Sequence, residues 1–296
     1  MQEISQKLFS EERALYGSRN VKVSDCVFER GESPVKECEN VELECCRFSW
    51  KYPIWYSKNI SVRGTTWDET ARAGVWYNEN VSVTDAYIQA PKNFRRCKRL
   101  ILDDVCIPNA EETLWHCDGV KIKRVSANGH YFGMNCRNVE ADGLKVNGNY
   151  VFDGLQNAVI RNSRLITKDS FWNSENVTVY DSFITGEYLG WNSKNLTLIN
   201  CTVESLQGMC YIDNLVMKNC KLINTTLAFE YSTVEAEISS RIDSVLNPKS
   251  GTITAPSIGE LIIERDHVDP SKIRIVCDDV ATRTDKLDWT KIDFSN

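Results

Sequence analysis

The strongest constraint on this chain is an internal repeat of about 19 residues. One position, here called the marker, recurs at intervals of 19 to 21 residues and is asparagine in nine of eleven repeats. The eleven markers are Asn20, Asn40, Asn59, Asn80, Arg99, Gly119, Asn138, Asn157, Asn176, Asn195 and Asn214. A fixed period of this length predicts a repeat architecture, in which each repeat forms one turn that packs on its neighbours.

Each marker is followed by apolar residues one, three, six and eight positions later, as in VKVSDCVF and VTVYDSFI. Apolar residues two apart share one face of a strand, and the following interval of three requires a corner. Asp, Asn or Gly occupies the fifth position in nine of the eleven repeats, and these residue types tolerate corner conformations. The pattern predicts an all-β fold, a single-stranded right-handed parallel β-helix (β-solenoid) with strands about 4.8 Å apart. Leucine-rich repeats have similar lengths, but their Leu-x-x-Leu-x-Leu pattern is missing.

The repeat also predicts the domain organisation. One β-helix domain is expected over residues 1–277, with eleven regular turns over about residues 20–233 and shortened turns over about residues 234–277. The polar residues 278–296 are expected to form a C-terminal cap, in which Trp289 and Phe294 cover the open end of the core.

Composition restricts the function classes. A net charge of −6 and a pI of about 5.3 disfavour binding to the phosphate backbone, so no nucleic-acid partner is expected. No apolar run reaches the roughly 18 residues that a membrane span needs, and the polar N-terminal sequence lacks the features of a signal peptide. These observations predict no membrane association and a cytoplasmic location.

The twelve cysteines are predicted to be free thiols, because a chain without an export signal is expected to remain in a reducing compartment. Several recur at equivalent positions of the repeat, which indicates packing roles. No Cys-x-x-Cys or His-Glu-x-x-His spacing occurs, so neither a metal site nor a cofactor is expected.

Aromatic residues recur four positions before the marker. Five of the eight tryptophans occupy this column, namely Trp55, Trp76, Trp115, Trp172 and Trp191. The residue five before the marker is mostly apolar and is expected to face the core, so its neighbour is expected to face outward. Lys36, Arg95 and Asp153 in the same column support this, because unpaired buried charges would be costly. An exposed aromatic row is typical of a binding surface.

Sugar rings stack on such rows, and adjacent polar side chains can bind sugar hydroxyls. The residues predicted to bind a carbohydrate are Trp115, His116, Asp153, Trp172, Asn173, Tyr188, Trp191, Tyr211 and Glu230. The alternative is that loops, the N-terminal segment or a second copy of the chain covers the row. The protein would then be a noncatalytic scaffold for another protein or for a homo-oligomer formed through the aromatic face.

Two carboxylates beside this row are candidates for acid–base chemistry. Asp169 lies seven residues before Asn176, and Glu187 lies eight residues before Asn195, so the repeat predicts adjacent turns. A separation of about 5 Å is compatible with retaining glycoside hydrolysis, in which one carboxylate is the nucleophile and the other the acid/base. Lys168 would oppose the rise in pKa that two neighbouring carboxylates cause. The alternative is a surface charge cluster, so whether the protein is an enzyme stays open.

The 19-residue repeats resemble the right-handed β-helix of pectin-lyase-like proteins. Residues 167–231 begin with TKDSFWNSENVTVYDSFITGEYLGWNSKNLTLINC, and AFEYS and SVLNPKSGTI follow. These stretches resemble a bacterial family of unknown function whose members are predicted to form such helices. The resemblance implies the fold but no reaction. The Asn-Thr-Asp, Gly-His-Gly and Arg-Ile-Lys motifs of polygalacturonase-like enzymes and the Trp-Ile-Asp-His motif of pectate lyases are missing. The Asp103–Asp104 pair is present, but Asp104 occupies an ordinary corner position.

Overall fold

The structure is a computed structural model that describes residues 1–288 and residue 290. The chain divides into two compact units, Met1–Ser170 and Phe171–Asn296, here called the first and second unit. Both consist of parallel β-strands that pair about 19 residues apart, and the described residues contain no α-helix. The predicted all-β parallel β-solenoid is therefore confirmed.

The first unit contains nineteen strands. They are β1 Gln2–Ser5, β2 Leu8–Phe9, β3 Arg19–Ser24, β4 Val27–Phe28, β5 Val35–Lys36, β6 Glu39–Glu44, β7 Arg47–Phe48, β8 Ile54–Trp55, β9 Lys58–Arg63, β10 Thr66–Trp67, β11 Val75–Trp76, β12 Glu79–Ile88, β13 Lys98–Ile107, β14 Asp118–Lys123, β15 Ser126–Asn128, β16 Arg137–Asp142, β17 Lys145–Asn147, β18 Gln156–Arg161 and β19 Arg164–Ile166.

The described part of the second unit contains nine strands and one short 3-10 helix. The strands are β20 Glu175–Tyr180, β21 Phe183–Gly186, β22 Lys194–Ile199, β23 Thr202–Ser205, β24 Asp213–Ile223, β25 Thr233–Ile238, β26 Ile242–Leu246, β27 Ser250–Ile262 and β28 Ile273–Thr284, and the helix is Pro270–Lys272.

The apolar columns predicted from the repeat form the core. The first apolar position after the marker pairs in register from turn to turn, as Val21 with Val41 and Val41 with Ile60, and all three side chains are buried. The eighth position adds an aromatic stack, because the rings of Phe9, Phe28 and Phe48 follow one another at 4.8 Å and nearly parallel. Each turn thus buries its apolar residues on those of the next turn.

Asparagine at the marker position forms a surface ladder. The backbone of each marker asparagine is left-handed, with φ of 55° at Asn20 and 53° at Asn195. The side-chain amide of Asn40 donates to Asn20 Oδ1 at 3.0 Å, and that of Asn195 donates to Asn176 Oδ1 at 2.8 Å. These side chains are exposed, so the ladder lies on the outside of the coil. Asparagine fits because it tolerates the left-handed region and its amide both donates and accepts.

All twelve cysteines are free, as predicted. Two positions before the marker, small polar residues donate to a backbone carbonyl of the preceding turn. Cys117 Sγ donates to the oxygen of Phe94 at 3.1 Å, and Ser57 Oγ donates to the oxygen of Val35 at 3.1 Å. Burial raises the pKa of the equivalent Cys38 to about 11, so this thiol stays protonated at neutral pH. These cysteines are packing residues.

The described part of the predicted C-terminal cap begins as a strand, because β28 continues to Thr284. Beyond it, Leu287 packs with Leu227, Leu246 and Ile262 in a buried cluster of the second unit. Trp289 and Phe294, which were expected to complete the cap, lie outside the described residues.

Candidate functional site

Three tryptophans of the first unit, Trp55, Trp76 and Trp115, lie half-buried along the side of the coil. Their indole N–H groups donate to backbone carbonyl oxygens of the following turn, from Trp55 to Ala73 at 2.7 Å and from Trp115 to Tyr131 at 2.6 Å. Trp76 makes the equivalent bond. Each indole therefore has its polar group satisfied by the backbone, which fixes the ring against its own coil.

An arginine completes this column. The rings of Trp55 and Trp76 stack at 5.1 Å and 6°, and the Arg95 guanidinium lies over Trp76 at 5.0 Å and over Trp115 at 4.2 Å. Arg95 Nη2 also pairs with Glu112 Oε2 at 2.5 Å. In this first-unit ladder (Trp55, Trp76, Arg95, Trp115) the partners cover one another's faces. The prediction that Trp115 binds a sugar stays a prediction, with one face of its ring already occupied.

A more open row lies in the second unit. Trp191 is 37% exposed and Tyr211 is 46% exposed. The ring of Tyr211 lies 6.5 Å from that of Trp191 and 5.3 Å from that of Tyr231, with interplanar angles of 63° and 53°. Tyr231 in turn stacks on His267 at 6.4 Å. These four residues form the second-unit row, in which the rings of Trp191, Tyr211 and Tyr231 are inclined to one another.

A cleft of about 650 Å³ adjoins this row, and is here called the tyrosine cleft. Its lining combines aromatic rings with amide, hydroxyl and charged groups of both signs. The lining residues are Asn192, Tyr211, Ile212, Asp213, Tyr231, Thr233, Lys249, Ser250, His267, Val268, Asp269 and Lys272. The volume lies within the range of about 300–1,000 Å³ that is usual for small-molecule sites.

Two carboxyl groups of opposite character lie beside Tyr231. Glu230 is only 7% exposed, and its Oε2 accepts a hydrogen bond from Gln207 Nε2 at 2.6 Å. Burial raises the pKa of Glu230, and the negative charge of Glu264 raises it further. The pKa of Glu264 is lowered instead, because its carboxylate accepts from the backbone N–H of Leu287 at 3.0 Å and from the Asn247 amide at 2.7 Å. Carboxyl groups whose pKa values diverge can act as an acid and a base.

His267 connects Tyr231 to this pair. Its Nδ1 lies 2.7 Å from the Tyr231 hydroxyl oxygen and 3.7 Å from Glu264 Oε2. Burial raises the pKa of Tyr231, and the charges of Glu230 and Glu264 act in the same direction, so the phenol stays protonated at neutral pH. The row thus ends in a hydrogen-bonded group of titratable side chains.

The structure distributes the predicted binding residues over both units. Trp115, His116 and Asp153 belong to the first unit. The second unit contains Trp172, Asn173, Tyr188, Trp191, Tyr211 and Glu230. There Trp172 Nε1 donates to the Tyr188 carbonyl at 2.8 Å, and the Asn192 amide donates to Asn173 Oδ1 at 2.9 Å. Trp172 and Trp191 approach to 5.2 Å, so the predicted aromatic column continues into the second-unit row.

The predicted catalytic residues are divided between the units. Lys168 and Asp169 lie in the first unit and Glu187 in the second. Asp169 is only 2% exposed, whereas Lys168 is exposed and Glu187 is half-buried. Their joint role stays a prediction.

The repeat did not identify Tyr231, Glu264 or His267 as site residues. Tyr231 precedes the shortened turns, and the two others belong to the segment between β27 and β28, which has no counterpart in the regular repeat. The one signal for Tyr231 was its position beside Glu230 in the phrase AFEYS.

Among residues 1–288 and 290, no three His, Cys, Asp or Glu side chains are grouped so that they could hold a metal ion. Within the same residues, no helix has the length and hydropathy needed to cross a membrane.

Comparison with known proteins places the chain in a family. Residues 2–276 match the family described as protein of unknown function DUF3737, and the chain belongs to it. No curated protein matches.

Three solved structures match the chain at low sequence identity. A mutant tailspike protein of E. coli bacteriophage HK620, in complex with a pentasaccharide, is 8% identical, with 96% of this chain and 70% of that chain covered and a TM-score of 0.40. PfbA, a surface adhesin of Streptococcus pneumoniae, is 9% identical, with 95% and 73% covered and a TM-score of 0.25. The fluoroquinolone resistance protein QnrB1 is 11% identical, with 75% and 92% covered and a TM-score of 0.18. Similarity at this level transfers no ligand and no activity to this chain.

Proposed function

We propose that this protein binds an oligosaccharide or polysaccharide at the second-unit row and the tyrosine cleft. The observation that carries the proposal is the exposure of Trp191 and Tyr211 beside a cleft with many polar groups. The C–H faces of a sugar ring pack on aromatic rings, while amides, hydroxyls and charged groups bind its hydroxyls. Asn192, Lys249 and Asp269 supply such groups around Tyr211.

An oligosaccharide library, screened by intrinsic tryptophan fluorescence, tests this proposal, because Trp191 is exposed in the row. We expect a subset of the oligosaccharides to change the emission of the wild-type protein and to bind Trp191→Ala at least about tenfold more weakly, a loss of about 1.4 kcal/mol. Spectral changes that depend on protein concentration but not on sugar would indicate self-association through the row and contradict the proposal. Unchanged sugar affinity in Trp191→Ala would contradict it as well.

A second candidate function is hydrolysis of a glycosidic bond, and the Glu230–Glu264 pair favours it. In this scheme the protonated Glu230 gives its proton to the leaving glycosidic oxygen as the bond to the anomeric carbon breaks. The Glu264 carboxylate takes a proton from the water molecule whose oxygen attacks that carbon. The raised pKa of Glu230 and the lowered pKa of Glu264 suit these roles.

Turnover assays on any oligosaccharide that binds distinguish this pair from the pair predicted from sequence. Glu230→Gln and Glu264→Gln are expected to reduce turnover at least about a hundredfold while binding persists. The competing hypothesis, with Lys168 near Asp169 and Glu187, predicts that loss for Asp169→Asn and Glu187→Gln instead. Binding without detectable turnover in the wild-type protein would make the protein a carbohydrate-binding scaffold and exclude both pairs.

A further inference from the structure

A second cleft, of about 540 Å³, lies in the first unit and is here called the cationic cleft. It follows the corner of the coil over four successive turns. Residues three before the marker, including Arg96, His116 and Asn135, form one side, and residues one before the marker, including Lys98 and Arg137, form the other. The small residues between the two sides, such as Cys117, are buried.

Three cations of this cleft lack a close side-chain partner among the described residues, although the pKa of Glu79 is lowered by its hydrogen bond from Arg99 and, to a smaller extent, by the charge of Lys98. Within the described part of the chain, the side chains of Arg96, Lys98 and Arg137 make neither a hydrogen bond nor an ion pair. Arg99, in the same turn as Lys98, by contrast pairs with Glu79 at 2.5 Å. Three unpaired cations in one concavity contrast with the net charge of −6 of the whole chain.

The one acidic residue of the cleft offsets only part of this charge. Asp118 pairs with Lys98 and Arg137 in the strand register, one turn to each side. It forms an ion pair with neither within the described residues, and its Oδ1 accepts from the Asn138 amide at 2.7 Å. Three cations and one carboxylate leave the lining of the cleft with a net positive charge.

The pKa of His116 reflects the positive charge around it. Burial lowers the pKa of its imidazole, and the positive charges of Arg96 and Arg95 lower it further. The ring is exposed and its backbone is left-handed, with φ of 53°, so it stands at the corner of the turn. It is neutral at pH 7, and an anion beside it would raise its pKa.

A glycine keeps one end of the cleft open. The side of Arg96, His116 and Asn135 ends at Gly154, which has a left-handed backbone with φ of 68°. A Cβ atom there would clash with Asn135 Oδ1. The amide of Asn135 is thereby left accessible beside the cations.

We propose that the cationic cleft binds a small acidic sugar, with Arg96, Lys98 and Arg137 around its carboxylate or phosphate group. Guanidinium groups bind both oxyanions through paired N–H donors, and the Asn135 amide is available for a sugar hydroxyl. The cleft volume suits such a ligand. The proposal concerns the first unit and does not depend on the site proposed in the second unit.

The test follows the pKa of His116 by NMR during titration of the full chain with four compounds. Glucuronate and glucose 6-phosphate carry the two oxyanions, glucose is the neutral control, and inorganic phosphate lacks the sugar. We expect at least one acidic sugar to bind, to raise the pKa of His116 and to bind more weakly at high salt. Whichever of the two acidic sugars binds more tightly shows whether the cleft prefers a carboxylate or a phosphate.

Variants distinguish a built site from general charge attraction. Arg96→Gln and Arg137→Gln are expected to weaken binding of the acidic sugar at least tenfold. The control is Lys121→Gln, which removes an exposed cation of the same unit that pairs with Glu140 at 3.8 Å. It is expected to leave the affinity unchanged, and thermal unfolding of each variant verifies that it is folded.

Several results would overturn the proposal. The pKa of His116 could fail to change with either acidic sugar at millimolar concentration, or could change equally with glucose. Lys121→Gln could also weaken binding of the acidic sugar as much as Arg96→Gln and Arg137→Gln do. Binding of inorganic phosphate without either acidic sugar would reduce the site to one for a free anion and also contradict the proposal.

Discussion

At the scale of single residues, the marker asparagine combines two roles that no other common residue combines. Its backbone is left-handed, and its amide accepts from one neighbouring turn and donates to the other, as Asn195 does between Asn214 and Asn176. The ladder is exposed, so water can replace part of what a substitution removes. The left-handed backbone conformation therefore contributes much of the effect.

Two substitutions at Asn195 separate these contributions. Asn195→Ala is expected to lower the free energy of unfolding by about 1–3 kcal/mol, because it loses the amide bonds and because alanine tolerates the left-handed region less well than asparagine. Asn195→Gly loses the same bonds, but glycine has no Cβ to oppose a left-handed backbone, so it is expected to cost less. Urea unfolding measures both. Equal stability of Asn195→Ala and the wild type would refute the role of the ladder.

The pH dependence of stability belongs to the same scale, because it follows from one side chain. Burial raises the pKa of Glu230 above its ordinary value of 4.5, so the folded protein holds this proton more tightly than the unfolded chain. The corresponding stabilisation is complete below pH 4.5 and is lost as the pH rises through the raised pKa. As the pH rises from 4.5 through this raised pKa, Glu230→Gln is expected to lose less stability than the wild-type protein. Superimposable unfolding curves for the two proteins against pH would contradict this.

At the scale of the turn, most of the fold could be predicted from the sequence, because every turn has nearly the same geometry. Period, strand, corner and core columns all follow from spacing, as the register of Val21, Val41 and Ile60 illustrates. The sequence did not predict how the outward column is covered. Trp115 donates to a carbonyl of the next turn and stacks on Arg95, and these contacts depend on the path of the connecting segments. Nor did the sequence predict Glu264 and His267, since the regular 19-residue period ends at about residue 233 and the shortened turns beyond it share no marker.

The buried corner position offers a test at this scale. Cys117 and Ser57 make equivalent hydrogen bonds to a carbonyl of the preceding turn. Cys117→Ser is therefore expected to change the free energy of unfolding by less than about 1.5 kcal/mol. Cys117→Val removes one of the two donors to that carbonyl, which still accepts from the Trp115 N–H, and adds volume, so it is expected to cost about 1–3 kcal/mol. Calorimetric unfolding temperatures compare them, and a larger loss for serine than for valine would contradict the packing role.

At the scale of the whole molecule, both units use the same coil but differ in how their aromatic residues are placed. In the first unit, Trp76, Arg95 and Trp115 cover one another, which suits a structural role. In the second unit, Trp191 and Tyr211 remain exposed beside a cleft. The position four before the marker thus supplies stability in the first unit and, at Trp191, part of a candidate binding surface in the second unit.

The affinity of an oligosaccharide for two matched tyrosine variants tests the central claim most directly. Tyr211 and Tyr56 both stand three residues before a marker and are exposed to a similar extent, but only Tyr211 lines the tyrosine cleft. Titration calorimetry with an oligosaccharide from the library screen is expected to show at least tenfold weaker binding to Tyr211→Ala. The affinity of Tyr56→Ala is expected to equal that of the wild type. Equal affinities of the two variants, or a loss confined to Tyr56→Ala, would contradict carbohydrate binding at the second-unit row.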